Sequence, residues 1–490
     1  MSSVDLRSAK ELGRSKTEAS ERLRAFLVAT AIFLFLHQHH DVQEFFWDAK
    51  DYWRLSDPSV FFHFAKEIRG YVYPMLLLPA HLASNFLQSL EAPAYPYRVY
   101  SAVAYGYLAS NLLPDVYVRI CGGHLNLVRR LIVPVLLAAL LPGMIIYPLS
   151  DLPAFFLMIG ALWAVLNALT ANSSRYLGLM MLLAGMLATA SYNSRTVYGL
   201  PVIALFLASV ALSGGDKNRR LLATVSFIAG VALVSLPQSV INASTRGSWS
   251  PAVTPQKSEK SLVALQLMWG ITIQKYETTV DAAAVSPSRY YMDRSGEKIF
   301  AEEGLENSEV DVSTYISLVQ RRPLEFAGIY GRHLVNGLDI RDGEVYIRSA
   351  GSSRNLAAFF NQLVLSLGAL VLLIRYRRSA TCSSDVPTAG AAQGRRAAST
   401  WPVWLFVWLL PVLLILPGAV ETRFFLPLHA LVYCTIAFNL VPAELMRFVR
   451  QHWGVLTLAY VILLAMFFAV ATNTASSMQP LIHPPYRFGQ

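Results

Sequence analysis

Just past the first apolar run the chain reads His37, His39, His40, Asp41 and Glu44, then Phe45-Phe46-Trp47-Asp48-Ala49-Lys50-Asp51-Tyr52-Trp53. Acids set among aromatics at a membrane surface are costly to desolvate, and a carboxylate so placed gains proton affinity and suits general-base work. Water contact alone would leave it an ordinary solvated acid. Asp48 and Asp51 are three apart and share a face if the segment is helical. Trp47, Tyr52 and Trp53 suit stacking on a sugar ring and equally suit an interfacial aromatic belt. The histidine run has no further ligands nearby to complete a metal site. Cys121, Cys382 and Cys434 are scattered, giving neither a disulfide framework nor a metal cluster.

The elements that must position these residues are apolar helices. Of the 490 residues 54% are hydrophobic and only 15% charged, and the mean hydropathy is +0.42, which excludes a water-soluble chain. The net charge of +10 reads as the lysine and arginine surplus of cytoplasmic loops, with no nucleic acid implied. Apolar segments fall at 25–37, 72–90, 99–118, 131–149, 152–170, 176–190, 196–212, 221–240, 356–374, 402–418, 425–443 and 454–472. Arg129-Arg130, Lys217 to Arg220, Arg375 to Arg378, Arg395-Arg396, and Arg447 with Arg450 should all lie in the cytoplasm. All of them do so only if one early segment does not cross. The segment 72–90, with Pro74, Pro79, His81 and Asn85 and flanked by Arg69 and Glu91, is the one demoted to an interfacial or re-entrant helix.

About 11 spans remain, with the N-terminus inside and the C-terminus outside. The expected organisation is a cytoplasmic tail over 1–24, a transmembrane module over 25–240 that includes a first external loop at 38–98, and a large external loop over 241–355. C-terminal helices over 356–472 follow, interrupted by a flexible cytoplasmic linker at 375–400, and an external tail covers 473–490. Within the large loop, 262–273 and 315–334 show helical apolar spacing. Asn242-Ala243-Ser244 reads as an external glycosylation sequon.

The acidic, aromatic stretch after the first span resembles the GT-C glycosyltransferases, polytopic enzymes that include protein O-mannosyltransferases and lipid A aminoarabinose transferases. The carrying residues are Asp48, Ala49, Tyr52, Leu55 and Ser56 in WDAKDYWRLS, followed by the proline-bearing segment 69–90 and seven-plus-four spans around a large external loop. Shorter matches are Ser150-Asp151-Leu152-Pro153, Arg195 in SYNSRTVYGLP, and Glu421-Thr422-Arg423-Phe424-Phe425-Leu426-Pro427. The adjacent Asp-Glu pair of the mannosyltransferases is absent, since Ala49 follows Asp48.

The resemblance implies an all-α polytopic GT-C fold in a bacterial inner membrane, with the active site facing outward. It also implies a polyprenyl-phosphate sugar donor and a lipid, glycan or protein acceptor. Asp48 or Asp51 would be the base of an inverting transfer, a choice the pattern leaves open. Arg195, Arg423 and Arg98, which stands beside Tyr95 and Tyr97, would meet the lipid phosphate, with Tyr52, Asp151 and Glu421 also in the site. Some members of the superfamily use a divalent metal and others none. Each residue also has a structural reading: Asp151 as a helix cap, the arginines as snorkels, and Glu421 as a partner of Arg423 or Arg195. Two rivals stand beside this reading. An O-antigen polymerase or ligase would centre on late-loop Arg321-Arg322 and Arg332-His333. A flippase or transporter would need internal repeats or broken helices at the bilayer midplane, and neither is evident in the sequence.

Overall fold

The computed structural model describes residues 3–60, 70–87, 95–214, 216–253, 262–280, 288–305, 310–341, 345–347, 354–381 and 391–479. Helix dominates throughout, because apolar runs of this length satisfy their backbone groups internally in lipid only as helices. The chain opens with α1 (Ser3–His40), whose basic tail is helical and carries an i, i+4 pair between Glu18 and Arg22. The first external segment contributes α2 (Trp47–Leu55) and α3 (Val72–Leu87). A rod follows, made of α4 (Tyr95–Tyr107), a π turn at Leu108–Leu112 and α5 (Leu113–Cys121). The π turn presents the Ser110 carbonyl to buried Arg130, which also pairs with Asp115 at 2.9 Å.

Next come α6 (Leu127–Leu140), α7 (Gly143–Ile146), α8 (Asp151–Leu169) and α9 (Ser174–Ser194). A short 3-10 turn, Thr196–Tyr198, leads into α10 (Gly199–Leu212), and α11 (Lys217–Arg246) closes the first bundle. The large loop folds as α12 (Leu262–Thr272), β1 (Ile273–Thr279), β2 (Ser288–Met292), α13 (Arg294–Glu302), α14 (Val312–Arg321), α15 (Pro323–Leu338) and β3 (Tyr346–Ile347). After it run α16 (Asn355–Thr381), α17 (Ala391–Ile415), a 3-10 turn at Thr422–Phe425, α18 (Leu426–Asn439), α19 (Pro442–Ser476) and β4 (Met478–Gln479).

Among the described residues, five helices are long and apolar enough to cross a membrane: Asp151–Leu169, Ser174–Ser194, Lys217–Arg246, Asn355–Arg375 and Pro442–Ser476. Shorter apolar helices lie at Val72–Leu87, Thr196–Leu212, Val263–Thr272 and Thr400–Ile415. The outer face of α19 exposes Trp453, Val455, Leu458, Val461 and Met466, and that of α11 exposes Leu221, Val225, Ile228, Leu233 and Leu236. Contiguous exposed apolar surface of this extent matches a lipid boundary.

Several expectations need correction. The mostly helical chain is consistent with the expected all-α class, but it carries a small four-stranded sheet that the sequence expectation does not include, in the order β3-β1-β2-β4. Its centre is the antiparallel pair β1 and β2, with Tyr276 opposite Tyr290, and the alternating residues Lys275, Glu277 and Thr279 of β1 are buried, the first two as an ion pair. Residues 473–479 are likewise no free tail, since β4 pairs with β2. The run 315–334 is two helices, because Pro323 supplies no amide to continue the first and instead starts the second. Helix extends into both ends of the expected linker 375–400, where alanine favours it, and 382–390 lie outside the described residues. Arg69 and Glu91, the flanks of the demoted segment, also lie outside them. Asn242 of the sequon is buried in α11 and donates to the carbonyls of Ser250 and Ala252, so its amide is no glycan acceptor in this fold.

Candidate active site

Arg129, Arg219 and Arg375, assigned to the cytoplasm from the sequence, lie at one end of the helical bundle. Arg129 donates to the carbonyls of Ala437, Phe438 and Leu440 where α18 stops, and Arg219 donates to Ala168 and Ala171 where α8 stops. Arg119 bonds Asn167, and Arg375 bonds Asn439. Cations at carbonyl-rich helix ends complement the helix dipoles. The opposite end collects the start of α8, the end of α9, the turn before α10 and the turn before α18, and α2 lies against these.

Those elements enclose a cavity of about 170 Å³ lined by Asp48, Tyr52, Ser150, Asp151, Arg195 and Arg423, together with Gly70, Asn193, Ser194, Thr196, Val253, Tyr276 and Phe424. Asp48 lies in the first turn of α2, where an acid favours the helix dipole. The preceding loop is strained: Asp41 and Trp47 have φ of +40° and +48°, the left-handed region that bulky side chains avoid. Tertiary bonds hold that strain in place. The Trp47 indole donates to the Thr279 carbonyl at 3.0 Å, and the Tyr346 hydroxyl, donating to Phe46 O at 3.1 Å, also accepts from the Ala49 amide. The small sheet therefore orients Asp48.

Arg423 is the hub. It is 7% exposed, its Nη2 donates to Asp48 Oδ2 at 3.1 Å and to Glu421 Oε1 at 3.0 Å, and its Nε pairs with Glu421 Oε2. Burial opposes charge on Arg423, but Glu421, Asp151 and Asp48 around it raise its pKa above even the usual arginine range. Glu421 stands behind the cavity wall, bonded also by the buried Tyr276 hydroxyl. Arg195 pairs with Asp151, and both guanidiniums pack on the Phe424 ring, at 4.4 Å for Arg195 and 5.5 Å for Arg423. Tyr52 donates to Ser150 Oγ at 2.8 Å.

Five of the residues singled out in the sequence thus converge on the cavity: Asp48, Tyr52, Asp151, Arg195 and Arg423. Glu421 supports them from behind. Asp51, one turn further along α2, does not line the cavity. Arg98 lies elsewhere, paired with Asp41 at 2.9 Å and donating to Val42 O. The late-loop arginines are committed to carboxylates: Arg321 to Glu303, Arg322 to Glu302, Glu303 and Glu325, and Arg332 to Asp293 through two bonds. Among the described residues, no group of three or more His, Cys, Asp or Glu is placed to hold a metal ion.

Sequence reasoning missed Gly70, Asn193, Ser194, Tyr276 and Phe424. Asn193 accepts from Val72 N at 2.9 Å and donates to Gln238 at 2.8 Å, tying α9 to α3 and α11. A Cβ on Gly70 would stand 2.0 Å from Asn193 O, so only glycine permits that approach. The motif SYNSRTVYGLP did hold a usable signal, a polar run closing one apolar helix just before the next begins. Tyr276 comes from the sheet, which no apolar-helix pattern announces. No family model matches the chain, and no curated protein or solved structure matches it either.

Proposed function

We propose that this chain is a membrane glycosyltransferase of the GT-C type, with about 11 spans and the cavity facing the external side. It transfers a sugar from a polyprenyl-phosphate donor to a lipid, glycan or protein acceptor. The observation that carries the proposal is the convergence of Asp48, from the first external segment, with Asp151, Arg195 and Arg423 from three later elements around one cavity. A carboxylate beside guanidiniums, close to an apolar lipid boundary, suits a donor whose phosphate bears charge and whose tail does not.

The acceptor hydroxyl oxygen attacks the anomeric carbon from the face opposite the phosphate. As that bond forms, the anomeric carbon–oxygen bond to the phosphate breaks, its electron pair leaves with the polyprenyl phosphate, and the configuration inverts. The acceptor proton passes to Asp48, which Arg423 orients. Positive charge at the cavity wall stabilises the departing phosphate. Tyr52 and Tyr276, which line the cavity, supply aromatic faces on which a sugar ring packs.

The test uses purified Asp48→Asn, Asp51→Asn and wild type, each checked by thermal melt. Transfer is measured from a panel of polyprenyl-phosphate sugars to a membrane lipid extract. Asp48→Asn should melt like wild type and lose on the order of 10²–10⁴ in turnover, the usual value of general-base catalysis. Asp51→Asn should stay within a few-fold of wild type. Full turnover by a folded Asp48→Asn would overturn the assignment.

A further inference from the structure

The cavity holds two guanidiniums, and they are not equivalent. Glu421 and Asp48 occupy Nε and Nη2 of Arg423, while its Nη1 lies 4.0 Å from Asp151. Arg195 makes a single ion pair, to Asp151, and otherwise packs on Phe424. Counted together, three carboxylates, Asp48, Asp151 and Glu421, outnumber the two cations. A phosphate entering this cavity needs donors that are not already neutralised.

One side of the cavity supplies them. Ser194, the last residue of α9, is 5% exposed, and its hydroxyl has no hydrogen-bond partner among the described residues although it lines the cavity. A buried hydroxyl left unpaired is costly, and a site that receives a ligand there is a common reason for keeping one. Arg195 follows it directly. Thr196 then opens the 3-10 turn that runs straight into α10, where the amides of Thr196 and Val197 have no acceptor within the turn and that of Tyr198 donates to Arg195 O. The Asn193 amide is spent on Val72 and Gln238, which fixes where Ser194 points.

We infer that Ser194, Arg195 and the helix start at Thr196 form the cradle for the donor's phosphate, with Ser194 Oγ donating to a phosphoryl oxygen, while Arg423 remains with Asp48 and Glu421 as a positioning residue. The assignment rests on the glycosyltransferase reading above, and it divides a role that the sequence leaves shared among Arg195, Arg423 and Arg98.

Decaprenyl monophosphate and neutral decaprenol are the probes, titrated against the full-length protein in nanodiscs. Wild type should bind the phosphate more tightly than the alcohol. Ser194→Ala should weaken phosphate binding by about tenfold, the scale of one hydrogen bond to a charged group, and leave decaprenol binding and the melting temperature unchanged. Ser194→Thr, which keeps the hydroxyl, should recover most of the affinity. Ser194→Ala binding the phosphate as wild type does, in a protein that prefers phosphate to alcohol, would overturn the cradle and leave the glycosyltransferase reading standing. A wild type that does not distinguish the two probes would overturn both.

Discussion

Asp41 takes its left-handed turn where α1 ends, and the guanidinium of Arg98 closes on its carboxylate at 2.9 Å. Hydrogen bonds from Arg98 and Gln43 hold the Asp41 carboxyl below its usual range. A depressed folded-state pKa stabilises the fold fully above the unfolded carboxylate's value, and the stabilisation disappears as pH falls through the folded value. Arg98→Gln should therefore lower the melting temperature slightly at pH 7, as expected for a pair whose acid is exposed, with the gap to wild type closing in strong acid. An equal gap at both pH values would mean that the pair does not hold this turn. A span-end arginine beside tyrosines looks the same in a sequence whether its anion is a ligand or another part of the chain. For that reason Arg195 and Arg423 could be placed at the site from their local motifs, while Arg98, chosen on the same grounds, lies away from it.

At the scale of helices, the cavity depends on how closely α9 approaches α11. The two cross at Gly185 and Gly230, where an added Cβ would stand 2.1 Å from the carbonyl oxygens of Phe227 and Leu182 respectively. Small residues at such a crossing let backbones meet, which is how helices associate in lipid without a hydrophobic drive. Gly185→Ala must push the helices apart, at a cost of about 1–3 kcal/mol for overpacking, and carry Ser194 away from Asp48. Gly178→Ala is the control, since its Cβ meets Ser226 Oγ at 3.4 Å, close to ordinary contact. A lower melting temperature and slower transfer are expected for Gly185→Ala alone. Equal behaviour of the two variants would place the crossing elsewhere. The apolar helices were legible because a run of such residues has one good solution in lipid. The sheet was not, because β1 is seven residues long and pairs with β2 and β3, while β2 takes its other neighbour, β4, from the far end of the chain.

At the scale of the whole molecule, Arg129 and Arg219 finish helices by sitting on the last carbonyls of α18 and α8, at the end of the bundle remote from Asp48. That separation is consistent with the outward-facing cavity proposed above, in which the basic end is the cytoplasmic one. The number of crossings was harder to read. Pro142 and the π turn at Leu108–Leu112 divide apolar runs into shorter helices, and among the described residues five helices are long and apolar enough to cross a membrane. The sharpest test of orientation spans α11, whose 30 residues extend about 45 Å at 1.5 Å per residue. With Cys121, Cys382 and Cys434 replaced by serine, a membrane-impermeant maleimide should label Ser248→Cys in intact cells, and Asn218→Cys only after the membrane is opened. Both positions bracket one helix and are exposed at its two ends, so the pair of labels reports its direction without reference to activity. The reverse pattern would turn the cavity toward the cytoplasm. An external acceptor would then be out of reach, and with it the transfer reaction, even if every contact around Arg423 were right.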